Sequence, residues 1–575
     1  MRDGINLAVD VYLPKKRGED KQYPTILYQT RYWRAIDYRW PLNAIKDPLP
    51  RGLTGTYAKR FLANGYVWVA MDVRGSGASF GTRRYSHSPE EIKDGAQIVD
   101  WIIRQPWSNR KVGALGISYS GASAEMLLIN QHPAVKAVAP MFSGFDLYSE
   151  IAFPGGIHLT WFTDTWSQIT HKLDDNILPF GGWLSSIVVK GILPVDNDED
   201  YTLLAQALRD HTGNWNPHRE AESIQFRDDR PSPGLVPTID ALSSFPHADA
   251  ISGSGAAIYS YTGWFDGAYQ HAAIRRHLTL KNPSNKLIIG PWDHGGRRNI
   301  SPFGIGPSKF DHAGELLKFF DAHLKGIRTG IEEEAPIHYF TMGEERWKGS
   351  RSWPPDAFPM AFYFGQDQQL TNTSPPGRIG HDVYDVDQTA GTGTQTRWNT
   401  LVGRPITDPY PDRLEQDQKL LIYTSPPLKA DLEVTGHPLI RLFLRINTKD
   451  VTLFVYLEDI NESGDVSYVT EGMLRAIHHP ISQNIPPYED PVPYRTYNRK
   501  DSRALAPGEV TSLTFDLLPT SYLFKKGHRI RVAISGADRD YFAQLPGPPP
   551  TLNVFRNSTH PSHLLLPIIT GNTQE

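Results

Sequence analysis

No cysteine occurs in the 575 residues. Disulfide staples, zinc–thiolate sites and a cysteine nucleophile are therefore excluded, while both reducing and oxidising compartments stay open. Charge of either sign is not in excess: 59 Lys and Arg against 63 Asp and Glu leave a net charge of -4. That removes the basic footprint expected of a nucleic-acid binder and the polybasic patch of a membrane-surface protein. No apolar run reaches the roughly 18 residues a spanning helix requires, and no secretory signal is visible. The expectation is a cytoplasmic protein with neither nucleic acid nor membrane as partner; a homo-oligomer is compatible with all of this. Met1-Arg2-Asp3-Gly4 runs straight into the strand-like Ile5–Tyr12, which leaves room for residues upstream of Met1.

What is present is the composition of a folded globular chain, 39% hydrophobic and 21% charged, and length enough for three or four domains at roughly 150 residues each. Strand and helix signals alternate over residues 1–144. Thr25–Tyr32, Tyr66–Val73, Val112–Ile117 and Ala134–Pro140 read as strands, and Tyr57–Ala63 and Ser120–Asn130 as helices. Ser88-Pro89-Glu90-Glu91 is a capping box that opens a further helix to about Arg104. Such repetition implies a doubly wound parallel sheet. Residues 145–246 are Trp-rich with few strand signals and read as an inserted helical cap. Alternation returns over 247–350, with strands Ile258–Trp264 and Lys286–Trp292 and helices Tyr269–Thr279 and Asp311–Lys325. From 351 to 575, after a Pro- and Trp-rich linker at Arg351–Pro359, the pattern has period two: Ile440, Leu442, Leu444 and Ile446 share one strand face and Arg441 and Arg445 the other. This half predicts an antiparallel sandwich or jelly roll.

The strict serine-elbow pattern G-x-S-x-G occurs at Gly77-Ala78-Ser79-Phe80-Gly81. Chemistry argues against it, because an elbow needs a strand, a strained turn and then a helix at once. Ser79 lies in a long Gly-rich loop, and the next helix signal is not until Ser88. Val112-Gly113-Ala114-Leu115-Gly116-Ile117-Ser118-Tyr119-Ser120-Gly121-Ala122 supplies that context, with the closing Gly one place late. Alone, it reads equally as a strand–helix junction with a capping Ser.

A serine hydroxyl needs a neutral imidazole to take its proton and a carboxylate to hold that imidazole in the right tautomer. In an open parallel sheet such groups sit past the carboxyl ends of later strands. Ile258–Trp264 ends in Phe265-Asp266-Gly267, and Lys286–Trp292 ends in Asp293-His294-Gly295-Gly296. The order Ser118, Asp266, His294 is that of the α/β-hydrolases. Asp293 is a rival carboxylate, but it adjoins His294 in sequence and is expected to serve the loop. Because the imidazole must be neutral, activity is expected to fall below pH about 6–7.

Together, Asp72-Val73-Arg74-Gly75-Ser76-Gly77, Gly116-Ile117-Ser118-Tyr119-Ser120-Gly121, Pro154-Gly155-Gly156, Gly263-Trp264-Phe265-Asp266-Gly267, Gly290-Pro291-Trp292-Asp293-His294 and the Met1-Arg2-Asp3-Gly4 start resemble the CocE/NonD hydrolases. That family holds esterases, acylases and X-Pro dipeptidyl-peptidases, and the resemblance spans nearly the whole chain. It implies an α/β-hydrolase core with a helical cap and a C-terminal jelly roll. It makes Ser118, Asp266 and His294 the triad, and the Tyr32 phenol and Tyr119 backbone N–H the oxyanion hole. No metal or cofactor is implied, and the partner is a small-molecule ester or amide.

Departures bear on the substrate. Ile151, Ala152 and Phe153 stand where the family often has Trp or Tyr before Pro-Gly-Gly, and Ala268 stands where an aromatic often follows Asp-Gly. Both suggest an acyl pocket less filled by rings, with Trp166, Ile151 and Ala268 as candidate lining. The acidic cluster that α-amino acid ester hydrolases use for a substrate ammonium is not found. The implied activity is cleavage of carboxylic esters through an acyl-enzyme on Ser118. Its rivals are an amidase or dipeptidyl-peptidase with the same triad, and a non-catalytic protein that binds through the jelly roll.

Overall fold

The structure, a computed structural model, describes residues 1–15, 21–41, 55–231 and 238–569. Parts of the sequence-predicted units (16–20 and 42–54 of the first, 232–237 of the cap, 570–575 of the last) lie outside the described residues. The N-terminal part is built on nine strands: β1 (Val9–Tyr12), β2 (Tyr23–Thr30), β3 (Val67–Asp72), β4 (Ser108–Ile117), β5 (Val135–Met141), β6 (Ala257–Gly263), β7 (Asn285–Gly290), β8 (Ile337–Thr341) and β9 (Arg346–Ser350). They lie in the order β1-β3-β2-β4-β5-β6-β7-β8-β9. All neighbours from β3 to β8 are parallel, and β1 and β9 add antiparallel edges.

The central strands read as continuous apolar runs because both faces are covered. Every residue of β2 and of β3 is buried. The covering helices are α1 (Gly55–Ala63), α2 (Pro89–Ile102) and α3 (Tyr119–Met126), which join β2 to β5. Ser88 caps α2, its side chain accepting the Glu91 N–H at 3.3 Å. The predicted strand Thr25–Tyr32 ends early, at Thr30, so Tyr32 lies past the strand end, and the chain turns at Trp33 with φ 65°. Because β3 lies on one side of β2 and β4 on the other, winding reverses direction between β2 and β4. An open sheet places its ligand cleft at such a switch point, beyond the carboxyl ends.

Between β5 and β6 the chain forms α4 (Thr160–Asp174), α5 (Gly182–Val188), α6 (Thr202–His211), α7 (Pro217–Glu222) and α8 (Ala248–Gly253). A short ribbon, Ile36–Tyr38 with Val189–Ile192, ties this layer to the segment after β2. Helices α9 (Tyr269–Thr279) and α10 (His312–Phe320) follow β6 and β7.

Beyond β9 the described strand pairs are all antiparallel and make two sheets. The larger contains Ala357–Phe364, Leu439–Ile446, Thr551–Phe555 and His563–Ile569; the smaller contains Leu421–Thr424, Thr452–Ile460, Val466–Arg475 and Arg529–Ser535. Ile440, Leu442, Leu444, Ile530, Val532 and Ile534 are all buried between them, as their period-two spacing requires. The expected linker is shorter than it read, since Ala357–Pro359 already pairs with Pro567–Ile569. This β domain is docked on the core: Met342 N–H donates to the Ser521 carbonyl, and Gly267 N–H to the Arg397 carbonyl, each at 3.0 Å.

Candidate active site

Ser118 is the turn between β4 and α3, with φ 62° and ψ -125°. A non-glycine residue held there costs about 1–3 kcal/mol and persists only where the surroundings enforce it. Two glycines do so. A Cβ on Gly116 would lie 2.4 Å from the Ser120 carbonyl carbon, and one on Gly121 2.6 Å from the Met141 carbonyl oxygen. Gly121, one place later than the strict elbow, lets α3 settle on β5. The Ser118 N–H is fixed on the Met141 carbonyl at 2.9 Å, and its side chain makes no capping bond to the helix it opens.

Asp266 follows β6 and His294 follows β7. The His294 Nδ1–H donates to Asp266 Oδ2 at 2.8 Å. That fixes the tautomer and leaves the Nε2 lone pair free to accept a proton. The other carboxylate oxygen of Asp266, which is fully buried, accepts from Thr400 Oγ1 at 3.0 Å. Asp293 serves the loop, Oδ1 accepting the Arg298 N–H at 2.9 Å. Burial pushes its carboxyl up to about 6, and the charge of Asp266 adds to that.

No hydrogen bond joins Ser118 and His294 among the described residues, but the residues around them meet. A Cβ on Gly295 would sit 3.6 Å from Ile117 Cδ1. Phe142, one residue past the carbonyl that holds Ser118, packs edge-on to the His294 ring at 6.0 Å. Tyr269 stacks on that ring at 5.8 Å, and its phenol interacts with the Ser118 hydroxyl. Burial, reinforced by the charge of Asp266, drives the Tyr269 phenol well above its ordinary range, so it keeps its proton.

Tyr32 comes off the end of β2 and lines the same cavity as Ser118. Its oxygen accepts the Trp166 indole N–H at 3.0 Å, which leaves its own proton to give. Tyr119 is the first residue of α3, so its N–H has no intrahelical acceptor. Its ring is held away, stacked on His87 at 4.2 Å with its phenol donating to Glu91. The cavity, about 130 Å³, is walled largely by hydrocarbon and rings, including Ile151, Phe162, Trp166, Ile224 and Tyr269.

Residues 3–296 match the model of the X-Pro dipeptidyl-peptidase (S15) family, and residues 329–566 that of the X-Pro dipeptidyl-peptidase C-terminal non-catalytic domain. The chain belongs to the S15 family. A relative from Mycobacterium bovis that bears the name serine esterase is 50% identical, over 99% of this chain and 94% of its own. The cocaine esterase of a Rhodococcus species is 26% identical, over 99% and 97%. A solved CocE/NonD hydrolase from Staphylococcus aureus has the same fold, with a TM-score of 0.70 at 18% identity and coverage of 99% and 92%. This S15 chain is a serine hydrolase.

Within this S15 site, one expected lining residue is displaced. Ala268 is buried and does not line the cavity. Tyr269, one residue further on, fills the place where a ring after Asp-Gly was missed, so that side of the pocket is not short of aromatics. The signal was in the sequence, a Tyr adjacent to the expected position, but the frame was off by one. Thr400 carries no sequence signal, because it comes from beyond β9 with no motif around it.

Among the described residues one group, His271, His437 and Asp516, brings possible metal-ligand atoms within 4.8 Å of one another. His437 Nε2, however, accepts the Trp353 indole N–H at 3.1 Å. A neutral imidazole so engaged carries its proton on Nδ1 and has no lone pair left for an ion. No helix among the described residues is long and apolar enough to cross a membrane.

Proposed function

We propose that this protein cleaves carboxylic esters of small molecules by acyl transfer through Ser118. The observation that carries the reading is the oriented Asp266–His294 pair, 2.8 Å apart, set against a serine held in a strained turn at the mouth of an apolar cavity. Rotation of the Ser118 side chain from Tyr269 toward the imidazole closes the relay; free enzymes commonly tighten this bond only with substrate present. His294 Nε2 takes the Ser118 proton as the oxygen attacks the ester carbonyl. Asp266 holds the resulting imidazolium without itself taking the proton. The Tyr32 phenol and the Tyr119 N–H donate to the oxyanion. The imidazolium protonates the departing alkoxide, and water, deprotonated by the same Nε2, clears the acyl-enzyme.

The second reading is amide cleavage with the same residues, which membership of the S15 family favours. Only the leaving group differs. The test is kcat/KM on matched ester and anilide pairs for the wild type and Ser118→Ala. Ester turnover that vanishes in the variant supports the proposal. Anilide turnover equal to or above ester turnover selects the second reading, and activity that survives the substitution removes both.

A further inference from the structure

One stretch of the cavity wall is a helix face. Pro217, Glu220, Ala221 and Ile224 line the cavity at the i, i+3, i+4, i+7 spacing of α7 and the turn after it. Three of these side chains are what an apolar pocket uses. The fourth is a carboxyl group. Glu220 is 2% exposed and is the acidic residue among the lining side chains. Its Oε1 lies 3.4 Å from the largely exposed Arg219 guanidinium, while its Oε2 is buried without any hydrogen-bond partner. A buried acceptor left unpaired costs about 1–3 kcal/mol and calls for an explanation in the molecule's use. The same stretch of wall begins at Trp215, whose indole N–H is also buried and unpartnered.

We infer that this end of the cavity is a polar subsite for a hydrogen-bond donor carried by the substrate, with Glu220 as its acceptor, and that the fitting group is a neutral hydroxyl on an otherwise hydrocarbon chain. The inference rests on the ester-hydrolase reading above and names its substrate class. A hydroxyl can give its proton to Glu220 Oε2 and still accept a hydrogen bond, as from the unpartnered indole N–H of Trp215 in the same lining. An alkyl end does neither. An ammonium can only donate, and its charge meets a carboxyl already shared with Arg219, with no second acid in the lining. Glu220 is a specificity-determining residue here and takes no part in bond breaking.

Two series of esters test this. One varies the acyl side: 4-nitrophenyl esters of four- to eight-carbon acids ending in methyl, hydroxyl or amino. The other varies the alcohol side: acetates of four- to eight-carbon alcohols with the same three ends. The hydroxyl member is expected to exceed its methyl isostere by about ten-fold or more in kcat/KM, at one chain length in one series, because a site built for a donor rejects the analogue lacking it. Glu220→Met should shrink that ratio to within about two-fold while methyl-ended esters keep their rate. Glu220→Gln, which retains an acceptor oxygen and the side chain's shape, should keep most of the ratio and serves if the Met variant does not fold. Equal or better turnover of methyl ends at every length in both series, a preference for amino ends alone, or a hydroxyl preference that survives Glu220→Met would each overturn the inference. If the wild type turns over no ester of either series, the ester-hydrolase reading fails instead, so the two failures are distinguishable.

Discussion

Two serines in this chain sit in nearly the same sequence setting, and the molecule uses them in opposite ways. Ser79 lies in the loop 75–81 and is fully buried. Its hydroxyl accepts the Ala8 N–H at 2.8 Å and donates to the Asp72 carbonyl at 2.6 Å. Both of its hydrogen-bonding capacities serve to wrap the loop round Asp72, whose carboxylate is bound by Arg34 and by the Ala78 N–H. Ser118 is half-buried on a strained backbone, caps nothing, and opens onto a cavity beside an imidazole. The two differ less in their flanking glycines than in the use of the hydroxyl, which is locked into two backbone bonds in Ser79 and meets the Tyr269 phenol in Ser118. The glycines near Ser79 serve a loop, with a Cβ on Gly77 falling 2.4 Å from the Asp72 carboxylate. Those near Ser118 bring a helix against a strand.

The comparison breaks most sharply under paired alanine substitution. Ser118→Ala should cut ester kcat by about 10⁶ with the fold intact. Ser79→Ala should leave kcat within a few-fold and lower unfolding stability by about 1–3 kcal/mol, because it strands a buried N–H. Kinetics and denaturant titration on both variants check this, and equal catalytic losses would erase the distinction. Next in size, Asp266→Asn should lower kcat about 10⁴-fold by releasing the wrong tautomer of His294, measurable as a loss with little change in KM. Tyr32→Phe should cost about 10²–10³ in kcat, the usual worth of one oxyanion donor. Thr400→Val, which removes the hydroxyl on Asp266 Oδ1, should cost roughly ten-fold, as a hydrogen bond to a charged group does. If the Thr400 variant keeps full activity, the β domain contributes nothing to the triad's alignment.

The smallest effect is on stability against pH. Burial holds His158, His277 and His312 down to about 4 and His478 to about 3. Unfolded, each would titrate near 6.5. A histidine kept neutral in the fold binds fewer protons than when unfolded, so its contribution is complete above pH about 6.5 and is lost as pH falls toward 4. His312 packs 4.5 Å from Trp292 and bonds the Tyr261 phenol at 2.6 Å, next to the loop that carries His294. The loss of melting temperature between pH 6.5 and 4 should therefore be smaller in His312→Phe than in the wild type, a difference in which the opposite-signed contribution of carboxyls raised by burial, such as Asp240 and Asp293 at about 6, cancels. An equal loss in both proteins would contradict the assignment.

How far the sequence alone reached follows from what kind of interaction is involved. Apolar periodicity and capping made the alternating half readable: α9 runs over Tyr269–Thr279 as expected, and β4 and β6 end where Ser118 and Asp266 needed them to end. Period-two spacing did the same for Leu439–Ile446. The order Ser118, Asp266, His294 is legible because each residue follows a strand end, a local feature. What could not be read depends on contacts across large sequence separations. Thr400 reaches Asp266 over 134 residues, and the Trp166 indole reaches Tyr32 over another 134. Ala268 and Tyr269 exchanged roles because a helix start decides which of two adjacent side chains enters a cavity, and no pattern in the sequence sets that rotation. Glu220 stands in no motif, and its burial comes from the packing of the cap.

The central claim is that Ser118, and not the pattern-perfect Ser79, carries the acyl group. The most direct test is to treat the full-length protein with a fluorophosphonate and locate the adduct by mass spectrometry of its peptides. One equivalent of label on the peptide containing Ser118, absent in Ser118→Ala and retained in Ser79→Ala, is the predicted result. Label on another serine, or undiminished labelling of Ser118→Ala, would contradict it.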